Sequence, residues 1–135
     1  MNTRLLPLDQ ALDLQGCVLT YGHFSTIHPG HIRYLRHARS LGKQLVIALV
    51  GDTNHPKNKP YPFIQQERAE ALGLLGLADA IVLLRDDDLS PAIRKLRPSI
   101  VVLGTELERS AKFKQPLALL QSQGGSVQFH AGDMH

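Results

Sequence analysis

The sequence predicts an α/β fold, a doubly wound five-stranded parallel sheet with helices on both faces. Three observations lead there. Short β-rich apolar runs alternate along the chain with stretches whose apolar residues recur at helical spacing, the pattern of βαβ units. One of those runs, Leu45 to Val50, is apolar at every position, as in a strand covered on both faces. Glycines stand where strands or helices must stop, at Gly22, Gly42, Gly104 and Gly124-Gly125. At 135 residues the chain (1–135) fits one ordinary domain, large enough to bury a core.

Cys17 to Tyr21 reads as the first strand, stopped by Gly22. After Pro29-Gly30, the residues Ile32, Leu35, Ala38 and Leu41 recur at helical spacing until Gly42. Leu45 to Val50 is the second strand. A polar loop, Asp52 to Pro62, follows with three prolines and two lysines, and Asp52 is read as its cap. Gln65 to Leu75 suits a helix with Ala69, Leu72 and Leu75 along one side. Ala80 to Leu84 is the third strand. Ser90-Pro91 opens a helix, with the hydroxyl as N-cap and proline in the first turn. Ile100 to Leu103 is the fourth strand. A helix runs from Ser110 or Lys114 to Gln123, its start blurred by Pro116. Ser126 to His130 is the fifth strand. Met1 to Gln10, an apolar stretch interrupted by Pro7, is assigned none.

Composition narrows the function classes. A net charge of +3 is too small to imply nucleic-acid binding. The absence of tryptophan and the few other aromatics argue against a stacking platform for single strands. Arg33, Arg36 and Arg39 read better as a solvated helix face than as a basic patch. Cys17 is the only cysteine, which forbids an internal disulfide and suits a reducing cytoplasm. Neither a secretory signal nor a membrane span is evident.

In doubly wound sheets, ligands sit outside the carboxyl ends of the strands, where strand order reverses. Three chemically rich segments fall on that edge: Gly22 to His31, Asp52 with Lys57 and Lys59, and Gly104-Thr105-Glu106. Gly22 lets the chain leave its strand tightly, and Gly30 admits a ligand close to backbone. The helix opening at Pro29 turns unpaired N–H groups and a partial positive charge toward that edge, which suits phosphate. His28 and His31 flank this terminus, and their imidazoles can donate hydrogen bonds to phosphate oxygens. From spacing alone, helix caps or surface residues explain the two histidines as well as a phosphate site does. A zinc site on His23, His28 and His31 is a weaker third reading, because the segment holds no carboxylate and lacks the i, i+4 pair of zinc-protease helices.

Thr20-Tyr21-Gly22-His23-Phe24 followed by His28-Pro29-Gly30-His31 resembles the signature of the cytidylyltransferase-like nucleotidyltransferases, Gly-x-Phe-Asp-x-x-His-x-Gly-His. That superfamily includes glycerol-3-phosphate cytidylyltransferase and heptose-phosphate adenylyltransferase domains. Arg68-Ala69-Glu70-Ala71-Leu72, closing in Ala78-Asp79-Ala80-Ile81-Val82, is similar to its second helix and third strand. Val101 to Glu106 is similar to its fourth strand and acidic turn, so the likeness runs from about Cys17 to Phe129.

The resemblance implies a Rossmann-like fold and a reaction in which a substrate phosphate oxygen attacks the α-phosphorus of a nucleoside triphosphate and pyrophosphate leaves. It implies catalytic roles for His28, His31 and Lys57. It implies nucleotide contacts from Tyr21, Gly22, His23, Phe24, Gly30 and Lys59, with Gly104, Thr105 and Glu106 at base or ribose. Arg68 would reach the substrate phosphate. It further implies Mg2+ with the triphosphate, CTP or ATP as donor (CTP favoured by Thr20-Tyr21-Gly22), a small phosphorylated polyol or sugar as acceptor, and a homodimer. Neither a resident protein-bound metal, nucleic acid nor a membrane is expected. His28→Ala is expected to stop pyrophosphate release while leaving thermal stability nearly unchanged.

Two departures stand out. The family's acidic residue after the phenylalanine is Ser25 here. The family's Ser/Thr-rich motif after the fifth strand should begin about where Ala131-Gly132-Asp133-Met134-His135 stands, so the preferred expectation is a piece of a longer protein. The competing readings are a nucleotide-binding module without catalysis and a metal-dependent hydrolase.

Overall fold

The computed structural model describes residues 3–11, 13–25, 27–52 and 63–131. Its strands are β1 (Arg4–Pro7), β2 (Val18–Gly22), β3 (Leu45–Leu49), β4 (Ala80–Leu83), β5 (Ile100–Gly104) and β6 (Ser126–His130). Its α-helices are α1 (Pro29–Arg39), α2 (Gln65–Leu74), α3 (Ser90–Leu96) and α4 (Lys114–Ser122). All strands pair in parallel, in the order β1-β4-β3-β2-β5-β6. The five expected strands are β2 to β6, each within about a residue or two of its expected bounds. The sixth, β1, is the difference. It covers the outer edge of β4, with Arg4 opposite Ala80 and Pro7 opposite Leu83. An edge strand tolerates a proline at its end, because no second neighbour needs that position's N–H.

Period-2 alternation divides the core between two layers. Leu45, Ile47 and Leu49 of β3 pack with Leu35 and Ala38 of α1 and Ala69 and Leu72 of α2. Val46, Ala48 and Val50 pack with Ala92, Ile93 and Leu96 of α3 and Leu120 of α4. Every residue of β3 is therefore buried, as its unbroken apolar run requires.

Local polar contacts fix the helix ends. Asp79 Oδ2 accepts the Leu45 N–H at 2.8 Å and Arg39 Nη1 at 2.5 Å, tying the end of α1 to the starts of β3 and β4. The start of α3 differs from the sequence expectation. Ser90 lies inside the helix, and its N–H donates to Asp88 Oδ1 at 2.9 Å, so an aspartate two residues upstream caps it. Pro116 sits in the first turn of α4, where its missing N–H has no helical partner to lose.

Candidate active site

From β2 the chain builds outward through β3 and β4, then crosses back to lay β5 on the other side of β2. Strand order reverses there, and there the sheet opens. The β2–β5 ladder ends at Thr20 opposite Val102. Yet β2 stays paired with β3 to Gly22, and β5 with β6 to Gly104. Tyr34 of α1 fills the split. Its hydroxyl donates to the Val102 carbonyl at 2.5 Å and accepts the Tyr21 N–H at 3.4 Å. Burial pushes this phenol's pKa up, so it remains a neutral donor. Above the split lies a cavity of about 640 Å³.

Of the residues implicated by sequence, Tyr21, Gly22, His23, Phe24, His28 and His31 line this cavity, with Gly30, Gly104 and Glu106. Thr105 is exposed and does not line it. Lys57 and Lys59 lie outside the described residues.

The two motif histidines hold the start of α1 together. His28 is the N-cap, and its Nδ1 accepts the Gly30 N–H at 3.0 Å. The His28 N–H in turn donates to His31 Nδ1 at 3.3 Å. This is a capping box made of histidines, and their rings stack with centroids 3.9 Å apart. Accepting at Nδ1 places the proton of each neutral imidazole on Nε2. Both rings therefore present Nε2–H donors at a helix N-terminus, the arrangement that suits phosphate oxygens.

Phe24 contributes more than backbone. It adopts a left-handed φ of 48°, which costs a non-glycine residue roughly 1–2 kcal/mol. Its ring is buried against His31, centroids 5.1 Å apart, where packing offsets that strain. A Cβ on residue 22 would come within 2.7 Å of the same ring. Gly22 thus makes room for Phe24 rather than supplying an unusual turn.

Arg68 is placed differently from what the resemblance implies. Its side chain is buried and does not line the cavity. Nη1 donates to the His23 carbonyl at 2.6 Å, Nε to the Phe63 carbonyl at 3.0 Å, and Nη2 to Asp52 Oδ1 at 2.7 Å. Asp52 also accepts the Gln65 N–H, at 2.9 and 3.0 Å, capping α2 where Ile64 has no acceptor to offer. The Gln65 amide donates to the Leu49 and Leu84 carbonyls at 2.9 and 2.8 Å. Arg68, Asp52 and Gln65 therefore lock α2 to the strand ends beneath the histidine loop.

Sequence reasoning missed several cavity residues: Tyr34, Leu107, Lys112, Phe113 and His130. Lys112 lies in the 3₁₀ turn Ala111–Phe113, forms an ion pair with Asp87, and sits 5.9 Å from the Tyr21 ring centroid. The Tyr21 hydroxyl donates to the Asp87 carbonyl at 2.8 Å. His23 has its pKa lowered by partial burial first, then by the charges of Lys112 and Arg68, against an opposing pull from Asp87. His130 stacks on His37 with centroids 4.2 Å apart, and its pKa is lowered by burial and then by His37. Among the described residues, no group of three His, Cys, Asp or Glu side chains is placed to hold a metal ion, and no helix is long and apolar enough to cross a membrane.

The sequence profile of a family described as cytidylyltransferase-like matches residues 19–130. An FAD synthase of Methanosarcina acetivorans is 38% identical over 93 residues, covering 68% of this chain and 61% of that protein. The bifunctional protein HldE of Magnetococcus marinus is 40% identical over 92 residues, covering 66% of this chain and 19% of that one. The chain thus spans about three fifths of the first relative and a fifth of the second. Among solved structures, the lipopolysaccharide core biosynthesis protein of Thermoplasma volcanium superposes with a TM-score of 0.68 at 24% identity, over 84% of this chain and 94% of that one. That likeness is one of fold.

Proposed function

The chain belongs to the cytidylyltransferase-like family, and from that premise we propose that its cavity transfers a nucleoside monophosphate to a phosphorylated acceptor. An oxygen of the acceptor phosphate forms a bond to the α-phosphorus of the triphosphate. The bond from that phosphorus to the bridging oxygen breaks, and pyrophosphate leaves with its electron pair. Such a reaction needs positioning and charge stabilisation more than covalent chemistry.

The observation that carries this reading is the pair of mutually capped histidines at the mouth of the β2–β5 split. Their Nε2–H groups, with the N-terminal amides of α1, hold phosphate oxygens and stabilise the charge that develops during transfer. The resemblance assigns Lys57 and Lys59 to contact with the triphosphate. Magnesium arrives with the nucleotide. It prefers oxygen ligands and keeps several waters, and Glu106 is the one carboxylate among the described residues lining the cavity, too few for a resident cage. When bound, the ion neutralises phosphate charge.

The relatives favour ATP over the CTP that Thr20-Tyr21-Gly22 suggests. An enzyme named for making FAD joins an adenylyl group to a phosphate monoester, and this is the acceptor class we assign. The test is a thermal-shift panel of ATP, CTP, GTP and UTP with magnesium, followed by pyrophosphate release with FMN, glycerol 3-phosphate and sugar 1-phosphates as acceptors. Stabilisation by ATP, with pyrophosphate released on one acceptor, is the expected result. Stabilisation by a nucleotide with no release on any acceptor selects the binding module, which Ser25 in place of the family's acidic residue favours. No stabilisation by any nucleotide overturns both.

A further inference from the structure

Of the fifteen lysines and arginines in the sequence, Lys112 alone among the described residues lines the cavity. Its surroundings are built rather than incidental. Asp87 pairs with the ammonium, and the Tyr21 hydroxyl holds the Asp87 carbonyl at 2.8 Å. The ammonium also lies 5.9 and 6.0 Å from the centroids of the Tyr21 and Phe113 rings, within range of cation–π attraction. Those rings meet edge to face, with centroids 5.1 Å apart. A lysine that only kept the surface soluble would need none of this.

Its position is distinct from the histidine pair. Tyr34 of α1 belongs to the core layer on one face of the sheet, whereas Phe113 belongs to the layer on the other. The cavity therefore has an anion-attracting wall on each side of the split: the α1 terminus on one, Lys112 on the other. Because the side chain of Lys112 is only 38% exposed, its charge is less screened than that of a free surface lysine.

We propose that Lys112 is an anion-binding residue of this cavity, holding a phosphate group of one reactant on the wall across from the α1 N-terminus. The proposal rests on the transferase reading of the site. Asp87 pairs with the ammonium, and an arriving phosphate competes with that carboxylate for it. The pKa of His23 is lowered by burial first and by the charge of Lys112 second, so the field of Lys112 reaches a neighbouring cavity residue.

The same chemistry serves the triphosphate or the acceptor's monoester, and the experiment separates them. Dissociation constants of ATP with magnesium and of glycerol 3-phosphate are measured by calorimetry for the full chain and for Lys112→Ala, Lys112→Arg and Asp87→Asn. Lys112→Ala should weaken one ligand roughly five- to tenfold, as loss of a partly exposed charge-assisted contact does. The ligand affected identifies the source. Lys112→Arg should stay within about twofold of the parent, and Asp87→Asn should bind as tightly or more tightly, because it releases the ammonium from a competing anion. Unchanged affinity for both ligands in Lys112→Ala overturns the proposal. So does equal weakening in Lys112→Ala and Asp87→Asn, which would make the ion pair purely structural. Should Lys112→Ala fail to fold, Lys112→Gln, which keeps most of the stem and removes the charge, takes its place, and the same loss for one ligand or for neither decides the proposal. A parent chain that binds neither ATP nor any phosphate refutes the transferase reading itself, a different outcome from ATP binding that ignores Lys112.

Discussion

Replacing Tyr34 by phenylalanine removes one oxygen from the place where the sheet splits, and its cost can be worked from the contacts. The hydroxyl donates to the Val102 carbonyl at 2.5 Å and accepts the Tyr21 N–H at 3.4 Å. Tyr21 and Val102 are both buried, so bulk water does not readily replace the hydroxyl. An orphaned buried polar group costs about 1–3 kcal/mol, and the longer contact counts for little, so the loss should be about 2 kcal/mol. The ring remains, so no cavity term is added. Urea unfolding measures it, as a lower midpoint with an unchanged slope. The strands could instead close directly, Tyr21 N–H to Val102 carbonyl; stability would then recover and the crevice would narrow. Nucleotide affinity, measured alongside, would fall in that case. A variant with less than about 0.5 kcal/mol of destabilisation and parental nucleotide affinity would refute the role of Tyr34 as the wedge.

Three further expectations follow from the same contacts. Arg68→Met should destabilise by about 2–3 kcal/mol in urea, since the His23 and Phe63 carbonyls lose a charged donor. A rise in KM at unchanged stability would instead return Arg68 to substrate binding. His28→Ala should lose about 1 kcal/mol of capping along with pyrophosphate release, whereas His28→Asn should keep the cap and the fold but lose the release. Equal activity in His28→Asn and the parent would show that the imidazole acts only as a cap. Burial pushes the Cys17 thiol from 9.0 to about 12. Its folded pKa lies above its unfolded one, so its contribution to stability is complete below pH 9 and disappears as pH rises toward 12. Urea midpoints across that range, compared with Cys17→Ser, measure it. Native protein should also resist alkylation at pH 8, because the thiolate is the nucleophile.

What was legible in the sequence follows from which signals are local. The buried strands and amphipathic helices announced themselves because burial on two faces, or on one stripe, imposes a period on neighbouring residues. β1 escaped because it has four residues, alternates little, and gains its place only from the edge of β4, a partner more than seventy residues away. Ser90 misled because a hydroxyl before proline is a good cap in isolation, whereas the helix begins one residue earlier and the Ser90 N–H is satisfied by Asp88, two residues upstream.

The site divides along the same line. The segment Gly22 to His31 was readable because its chemistry lies in consecutive residues at a strand-to-helix turn. Lys112, Phe113 and His130 arrive from distant parts of the chain and meet it only through the crossover that places β5 and β6 beyond β2. Arg68 looked like a substrate contact for the opposite reason. Its place at the start of α2 is visible in the sequence, but its burial, its bonds to two carbonyls and its pairing with Asp52 are not. The histidine pair joins the two cases. Sequence alone left helix cap and phosphate site as rivals at His28; the geometry shows the cap, and the proposed function has the same residue do both. Because Nδ1 caps the helix, the neutral ring carries its proton on Nε2, so the bond that stabilises α1 also fixes the tautomer a phosphate needs. Under the proposed function, stability and activity are coupled at His28, and the cap seen at Gly30 leads us to expect that alanine there costs both rather than activity alone.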